Sequence, residues 1–417
     1  MVMQALVPEE QRRFAAEVVR RLRGAGFEAY WAGGCVRDQL LGRVPNDYDV
    51  ATSAAPEQIR KLFGHRRTLA IGAAFGVITV IGPKAAGTVE ATTFRRDAEY
   101  SDGRHPDSVT FSSAKEDASR RDFTINGLFY EPIERRVIDF VGGQADLAER
   151  CIRAIGCARD RIAEDKLRML RAVRFTATFD FSLDRRTREA VTEMAPEIHA
   201  VSPERIAMEM RRMLADPSRA TAVRLLLETG LASEVLPEIV AHDEAECRRL
   251  DDSLKLLARL GDSCGFPLAL AAMLYPCVDA TEATSVCRRW KLSNDETARV
   301  CWLVEHHDSL DRAPAMRWSE LQPFLVSEGI DDLLTLIETL SPERADAAAY
   351  CRRLAARPRD VLDPPPLLTG DDLLACGMQP GPQFKTFLQR IREAQLDEAV
   401  HTKAEALAMV ERWREES

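Results

Sequence analysis

The chain is poor in the residues that characterise secreted, zinc-binding and membrane proteins. It has seven histidines among 417 residues, and aromatic residues make up 6% of the sequence. Its ten cysteines are scattered and never form a C-x-x-C pair, so we expect buried thiols in a reducing compartment and no zinc site. No apolar run reaches the length of a membrane span, and the start MVMQALVPEEQRRF lacks a signal-peptide pattern. We therefore expect a cytoplasmic protein with no membrane partner and no stable protein partner.

The net charge of −9 argues against a protein that binds nucleic acid over its whole surface. Basic residues are nevertheless concentrated in one region. Residues 150–174 carry eight Arg or Lys against three acidic residues. Since the local field decides binding to phosphates, one basic groove remains compatible with the acidic total. The length of the chain predicts two to four domains.

A stretch near the N-terminus combines two features of phosphate chemistry. Gly33 and Gly34 follow a short apolar run and precede a helical pattern, where backbone N–H groups and the helix dipole attract an anion. Asp47 and Asp49 lie two residues apart on a predicted strand, so both carboxylates leave the same face. Paired carboxylates are hard oxygen ligands that suit Mg²⁺ shared with substrate phosphates. The two features together predict a metal-assisted phosphate site.

Two further strands are predicted at residues 76–81 and 88–94, separated by Gly82 and Pro83. On the second strand, Glu90 and Thr92 share one face. Glu90 is therefore either a third ligand for the metals or a solvent-facing residue, and the pattern does not choose between the two. Residues 95–106 are polar and charged with almost no apolar anchors, which predicts a mobile loop.

The motifs in this half of the chain resemble one enzyme family. The runs Gly33-Gly34-Cys35-Val36-Arg37-Asp38 and Asp47-Tyr48-Asp49 resemble the first motif of the class II tRNA nucleotidyltransferases and bacterial poly(A) polymerases, within the polymerase-β-like superfamily. RRDFTIN at residues 120–126 resembles the second motif. Gly142-Gly143 with Asp146-Leu147 resembles the third, a hinge. The resemblance covers about the first half, to Leu214, and is looser beyond it.

A fourth motif falls on residues 162–175, IAEDKLRMLRAVRF, which we predict to form one helix. Asp165, Arg168, Arg171 and Arg174 are each three apart and would share its polar side. This spacing is compatible with a solvated face or with hydrogen bonds to the edge of a base. The family motif matches Glu164, Asp165, Arg168 and Arg171, and implies that Asp165 and Arg168 select C or A.

The resemblance also implies roles for the remaining site residues. Asp47 and Asp49 would hold Mg²⁺, with Glu90 as the catalytic candidate beside them. Asp122 and Asn126 would orient the nucleotide sugar. Phosphates would be held by Gly33 and Gly34 in the glycine turn and by the side chains of Arg37, Arg121, Arg171 and Arg174.

The predicted fold is an α+β polymerase-β-like nucleotidyltransferase head followed by an all-helical neck, body and tail. The head covers residues 1–148, the neck that selects the nucleotide 149–215, the body 216–356 and the tail 357–417. Apolar residues beyond 200 recur at i, i+3 and i+4 rather than alternating, which predicts helices throughout. Residues 357–366 are rich in proline and predict a linker. By resemblance, the tail would contact the elbow of tRNA.

The predicted function is template-independent addition of C, C and A to the 3′ end of tRNA from CTP and ATP, with release of pyrophosphate. By resemblance, the polar loop at 95–106 counts against an enzyme that adds C residues only, because family members of that kind lack such a loop. The alternatives are a poly(A) polymerase, a tRNA nucleotidyltransferase that adds only A, and an RNA-binding protein with an inactive head. Intact Asp47 and Asp49 count against the inactive head, and the mixed-charge end RWREES favours the tRNA enzyme over the poly(A) polymerase.

Overall fold

The computed structural model describes residues 7–97, 109–378 and 381–415. The chain divides into two compact units, Met1–Val240 and Ala241–Ser417. Each unit is described by itself. The finer division into head, neck, body and tail at residues 148, 215 and 356 stays a prediction.

The first unit is built on a seven-stranded mixed sheet. Its strand order is β3-β4-β5-β2-β1-β8-β9, in which β2 and β5 are parallel and the other neighbours antiparallel. The strands are β1 (Ala29–Ala32), β2 (Asp49–Thr52), β3 (Thr68–Gly72), β4 (Val77–Ile81), β5 (Thr88–Thr93), β8 (Phe129–Glu131) and β9 (Arg136–Ile138). Two short pairs are separate from it: β6 (Arg95–Asp97) with β7 (Val109–Phe111), and β10 (Cys151–Ile152) with β11 (Ser182–Leu183).

Helices α1 (Pro8–Gly24) and α3 (Pro56–Phe63) cover one face of this sheet. Both begin with proline, which is compatible with the first helical turn because its missing N–H has no partner there in any case. Val18 and Leu22 of α1 are fully buried, as their spacing of four predicts. Strand residues alternate accordingly: Val89 and Ala91 of β5 face these helices.

The opposite face of the sheet carries the acidic residues. Asp49 pairs with Glu90 in the parallel register of β2 and β5, and Glu90 pairs with Thr79 across β5 and β4. Thr79 in turn pairs with Leu69 of the edge strand β3. Since cross-strand partners point to the same side, these four residues form one row across the sheet.

The strand predictions need three corrections. Asp47 lies before β2, which begins only at Asp49, although both aspartates are exposed and Tyr48 between them is buried, as the predicted alternation requires. The predicted loop at residues 95–106 begins as strand β6, and the rest of that prediction falls on residues outside those described. Strand β3 was not predicted, because a register shift between Leu69 and Gly72 interrupts its pattern.

The remaining helices of the first unit follow the sheet strands or pack after them. They are α2 (Gly34–Leu40), α4 (Ala114–Ser119), α5 (Gly143–Ala148), α6 (Ala158–Glu164), α7 (Arg168–Phe179), α8 (Arg185–Met194), α9 (Pro203–Leu214), α10 (Arg219–Glu228) and α11 (Leu231–Val235). Helices α7, α9 and α10 contact one another. The packing of α7 against α9 positions the basic region identified in the sequence.

The single helix predicted over residues 162–175 is wrong. The chain forms α6 and α7 with a break at Asp165, whose backbone is extended at φ −146° and ψ 103°. The Asp165 carboxylate accepts a hydrogen bond from the backbone N–H of Leu167 at 3.1 Å. This local bond competes with the helical one, which is the usual reason that aspartate starts helices rather than continuing them. Asp165 therefore does not share a helical face with Arg168.

The second unit is helical over its described residues, as predicted. Its helices are α12 (Glu244–Arg259), α13 (Phe266–Leu274), α14 (Ala280–Arg289), α15 (Asn294–His306), α16 (Trp318–Leu325), α17 (Ile330–Leu340), α18 (Ala345–Ala355), α19 (Arg359–Leu362), α20 (Gly370–Ala375), α21 (Pro382–Leu396) and α22 (Lys403–Glu415). The short α19 lies within the predicted linker. Leu373, Phe387 and Val410 join α20, α21 and α22 in a small core of their own. In the described part of the chain, each helix is too short or too polar to cross a membrane.

Candidate active site

A cleft of about 710 Å³ lies in the first unit, against the acidic face of the sheet. The residues singled out from the sequence all line it, although they come from segments far apart in the chain. They are Gly33, Gly34, Arg37, Asp47, Asp49, Glu90, Arg121, Asp122, Asn126, Asp165, Arg168, Arg171 and Arg174. The fold thus brings the predicted site together, while the role of each residue stays a prediction.

The acidic side of the cleft is formed by Asp47, Asp49 and Glu90. Removal from bulk water, together with the charges of Asp47 and Glu90, raises the pKa of Asp49 to about 6 against the opposing effect of Arg121. Crowded carboxylates of this kind are stabilised by a bound cation, and their oxygen atoms suit a hard divalent ion. Among the described residues, no three His, Cys, Asp or Glu side chains are close enough to hold a metal by themselves. Glu90 as a third ligand therefore stays a prediction.

The basic side of the cleft is tied to the glycine turn. Arg121 donates from Nε and Nη2 to the buried carboxylate of Asp117 at 3.3 and 3.0 Å, and from Nη1 to the backbone oxygen of Asn126 at 3.2 Å. Its guanidinium lies against Gly33, where a Cβ atom would come within 2.7 Å of Nη1. The guanidinium can occupy this position only because Gly33 has no side chain.

Arg37 is placed differently from the prediction. It was expected to project from α2 toward phosphate, yet its side chain is buried and donates from Nη1 to Asn126 Oδ1 at 2.6 Å. It also forms an ion pair with Asp38 at 2.7 Å and lies over the ring of Phe179, 4.5 Å from its centroid. In this structure Arg37 joins α2 to α7, and its contact with triphosphate stays a prediction.

Asp122 is the centre of the next group of contacts. It accepts hydrogen bonds from Asn126 Nδ2 at 3.0 Å and from Nε of Arg171 at 2.9 Å. Burial by itself raises the pKa of this carboxyl. The guanidinium of Arg171 and the hydrogen bond from Asn126 outweigh that effect and lower the pKa to about 2. Asp122 is thus ionised at neutral pH and fixes the orientation of both partners.

The residues expected to select the base contact partners other than each other. Asp165 accepts a hydrogen bond from Nη2 of Arg205 at 2.9 Å. Arg168 donates to Glu164 and to the backbone oxygen of Arg161, each at 2.7 Å, and to the backbone oxygen of Arg120 at 3.2 Å. Its side chain is buried, so of the two interpretations of the spacing the solvated face is excluded for Arg168. Both side chains still line the cleft.

Helix α9 contributes residues that sequence reasoning missed. The carboxylate of Glu209 is buried and accepts hydrogen bonds from Arg174 at 2.6 Å and from Arg212 at 3.0 Å, with Arg171 at 3.9 Å. Burial lowers the pKa of Arg174, and Glu209 offsets only part of that shift. The spacing of Arg205, Glu209 and Arg212, four and three residues, places them on one side of a helix and was the available signal.

Comparison with known proteins identifies the family. Residues 29–153 match the Poly A polymerase head domain, residues 180–242 the Probable RNA and SrmB-binding site of polymerase A, and residues 268–410 the tRNA nucleotidyltransferase domain 2. The CCA-adding enzyme of Geobacillus kaustophilus is 34% identical over 94% of this chain and 95% of its own length. The chain belongs to the family of CCA-adding enzymes.

Other CCA-adding enzymes are similar to this chain in sequence and in structure. The enzyme of Lactobacillus delbrueckii subsp. bulgaricus is 33% identical over 94% of this chain and 96% of its own length. The crystal structure of the Bacillus stearothermophilus CCA-adding enzyme in complex with CTP superimposes with a TM-score of 0.78 at 29% identity, over 97% of this chain and 98% of that one. The predicted α+β head with helices after it is thereby confirmed.

Gly33→Ala should impair this member of the CCA-adding family through Arg121. The residue has φ +73° and ψ −126°, a conformation that costs a non-glycine residue about 1–3 kcal/mol. The new Cβ would also displace the Arg121 guanidinium, and a displacement near 1 Å at a reaction site reduces rates by about 10- to 100-fold. We expect that loss in nucleotide incorporation measured at saturating CTP.

Gly26→Ala is the matched control for Gly33→Ala. Gly26 has φ +89°, but a Cβ there meets no atom within 4 Å. This variant should lose stability and retain activity. Equal activity of the two variants would show that displacement of Arg121 has no effect.

Cys35 should be unreactive in the native protein, although it follows the glycine turn directly. Its thiol is 2% exposed and donates to the backbone oxygen of Ala32 at 3.4 Å, and burial raises its pKa to about 12. Because the thiolate is the reactive form, alkylation at pH 8 should be at least about 100-fold slower than at the exposed Cys157. Mass spectrometry of iodoacetamide-treated protein measures both rates. Comparable rates would mean that α2 opens readily.

Proposed function

We propose that this protein adds C, C and A to the 3′ end of tRNA from CTP and ATP, without a nucleic-acid template and with release of pyrophosphate. The observation that carries the proposal is the cleft itself. One side holds Asp47 and Asp49, the other holds arginines in excess of their acidic partners, and Asp165 with Arg168 lies at its margin. Acidic ligands opposite a basic wall are what nucleotidyl transfer from a triphosphate requires.

Nucleotidyltransferases of this family use divalent metal ions, and we propose Mg²⁺ held by Asp47 and Asp49. The donor set fits, because both groups are carboxylates that line the cleft, and removal of Asp49 from bulk water together with the charges of Asp47 and Glu90 raises its pKa. When bound, the ion lowers the pKa of the attacking hydroxyl and neutralises charge on the phosphates. Substrate phosphates would complete its coordination, as is usual for Mg²⁺.

The basic wall is proposed to bind the triphosphate. The guanidinium of Arg121 packs against the glycine turn. Arg171 donates to Asp122, and Arg174 donates to Glu209. Guanidinium groups fixed in this way form charge-assisted hydrogen bonds to phosphate without first losing side-chain freedom. The 3′ hydroxyl of the primer attacks the α-phosphate and pyrophosphate leaves toward these arginines.

Base selection is assigned to Asp165 and Arg168. Cytosine and adenine each present an amino donor beside a ring-nitrogen acceptor, whereas uracil and guanine present a carbonyl beside an N–H group. A carboxylate acceptor next to a guanidinium donor therefore matches C and A and opposes U and G. Asp165 is held by Arg205, and Arg168 is held by three acceptors, so the pair is oriented before the base arrives.

tRNA and both nucleotides are the proposed partners. Relatives that span nearly the whole chain are named CCA-adding enzymes, and the Bacillus stearothermophilus relative is described in complex with CTP. The helical second unit, which includes the match to tRNA nucleotidyltransferase domain 2, would bind the tRNA, with the tail of residues 357–417 at the elbow. The cytoplasmic location and the absence of a stable protein partner stay predictions.

The chief alternative is a poly(A) polymerase, since residues 29–153 match the head domain of that name. The carboxylates and the basic wall of the cleft are compatible with either enzyme. They differ in the length and composition of the product, and the names of the relatives that span the whole chain favour CCA addition.

Primer extension tests the proposal. tRNA transcripts that end before CCA, after C and after CC are incubated with Mg²⁺, labelled CTP and ATP, and the products are sized on a gel. Three, two and one additions support CCA synthesis. A single A on the CC transcript alone indicates an A-adding enzyme, and long ATP ladders on any RNA indicate a poly(A) polymerase. No addition to any transcript supports the inactive head.

A further inference from the structure

The arginines proposed to bind the triphosphate lie on one side of the carboxylates, and the sheet order defines that side. β2, which carries Asp49, has β1 and β8 on one flank and β5, β4 and β3 on the other. The glycine turn follows β1, and Arg121 and Asn126 precede β8. Arg171 joins the same group through Asp122. A bound triphosphate would therefore lie toward β1 and β8.

In-line displacement decides where the primer must lie. The attacking and leaving oxygens of phosphoryl transfer are roughly collinear with the phosphorus atom. If pyrophosphate leaves toward the arginines, the primer 3′ hydroxyl approaches from the opposite flank, over β5, β4 and β3. The row Asp49, Glu90, Thr79 and Leu69 runs across this flank away from the reacting centre.

Among the described residues, this flank is solvent-exposed and partly apolar. Leu69, Val77 and Thr79 are exposed or half-buried on the acidic face, whereas the helix face of β4 is fully buried at Ile78 and Val80. Phe75, which precedes β4, is 41% exposed, and its backbone oxygen accepts a hydrogen bond from Arg95, a residue that lines the cleft. We call Leu69, Phe75, Val77 and Thr79 the open strip.

We propose that the open strip binds the last nucleotides at the 3′ end of the RNA primer. This inference rests on the proposed function and adds a binding site to it. Exposed apolar and aromatic side chains suit unpaired bases, because every base has an apolar face that stacks without regard to sequence. Such tolerance is necessary where the end of the primer changes with each addition. His65, Arg66 and Arg67, all exposed, come directly before β3 and offer positive charge to the phosphate backbone.

Opposite charges at Leu69 test the proposal. Leu69 is 43% exposed at the sheet edge, so Leu69→Glu and Leu69→Lys should both fold. We expect Leu69→Glu to raise KM for a tRNA ending before CCA by about 10-fold and Leu69→Lys to lower it about 2-fold, since phosphates lie near the side chain. KM for CTP and kcat should stay within about 2-fold of wild type, because the triphosphate lies on the other flank. A purely structural role would shift both variants in the same direction.

Ile133→Glu is the matched control at the opposite edge of the sheet. Ile133 is 46% exposed in the turn between β8 and β9. This variant should leave the primer KM unchanged. Phe75→Ala tests stacking separately and should raise KM for the tRNA primer about 5-fold. Phe75→Tyr keeps an aromatic ring and should leave this KM at the wild-type value.

Direct binding separates this inference from the proposed function. An acceptor-stem RNA with 2-aminopurine as its last nucleotide is titrated with wild type and Leu69→Glu in the absence of CTP. Wild type should bind more tightly than Leu69→Glu and quench the terminal base. Equal affinities of the two proteins for the RNA would overturn the open strip as a primer site. The same conclusion would follow if wild type formed a dimer that Leu69→Glu dissociates while RNA binding stays unchanged. Tight binding and quenching without nucleotide addition would contradict the proposed function alone.

Discussion

Asp49→Ala should reduce nucleotide incorporation by about 10³-fold or more, because the carboxylate pair proposed to hold the metal is lost. Asp47→Ala should have an effect of the same order. Both aspartates are exposed in the cleft, and the tRNA-binding surface is assigned to other parts of the chain. Binding of tRNA, measured by filter retention, should therefore change little. The measurement of activity is single-turnover extension of a tRNA that ends before CCA.

The raised pKa of Asp49 supplies an independent check that Asp49→Ala loses activity through the reaction and not through unfolding. A carboxyl whose pKa is about 6 in the folded protein, above its ordinary value of 3.8, destabilises the fold when ionised. This cost is fully present above pH 6 and is relieved as the pH falls from 6 to 4. Asp49→Ala should therefore be at least as stable as wild type at pH 7 without metal. An active Asp49→Ala protein would contradict the site assignment.

Arg168→Ala should reduce the discrimination between CTP and UTP by about 100-fold, because a site that hydrogen-bonds one base edge rejects the opposite pattern strongly. The variant removes the proposed donor while Asp165 remains held by Arg205. The measurement is the ratio of kcat/KM for CTP and UTP on a tRNA that ends before CCA. Unchanged rejection of UTP and GTP would refute the role in base selection.

The structure adds a stability cost that the sequence did not suggest. Arg168 is 9% exposed and donates to three acceptors, two of them in α6 and one directly after α4. Loss of its guanidinium should cost about 1–3 kcal/mol of unfolding free energy. The selection assays of Arg168→Ala should therefore be run well below the melting temperature of this variant. Arg150→Ala, which removes an exposed ion pair with Asp180, should change neither stability nor selection appreciably.

Much of the fold could be predicted because its elements are encoded locally. The helices beyond residue 200 were predicted in kind, since apolar spacing acts over one or two turns. Strands β4 and β5 were predicted on either side of the turn at Gly82 and Pro83. Strand β3 was missed because its partner β4, rather than its own pattern, makes it a strand.

The candidate site was likewise predictable only in part. The residue types that the chemistry needs are visible in the sequence, because two carboxylates two apart and a glycine turn before a helix occur together in one short stretch. Their partners are not visible. Glu209 holds Arg174 from 35 residues away, and Asp122 holds Arg171 from 49 residues away. A spacing rule that covers one helical turn cannot find such contacts.

The sequence by itself predicted the residues of the site, among them Asp47, Asp49 and the arginines, and it determined much of the local helices and strands through patterns of a few residues. Only the tertiary structure decided which groups face one another. It broke the helix at Asp165, buried Arg37 against Asn126, and placed Leu69 in the same row as Glu90. The physical reason is that strand register and helix packing depend on the total burial of apolar surface over the whole unit, which no short segment determines.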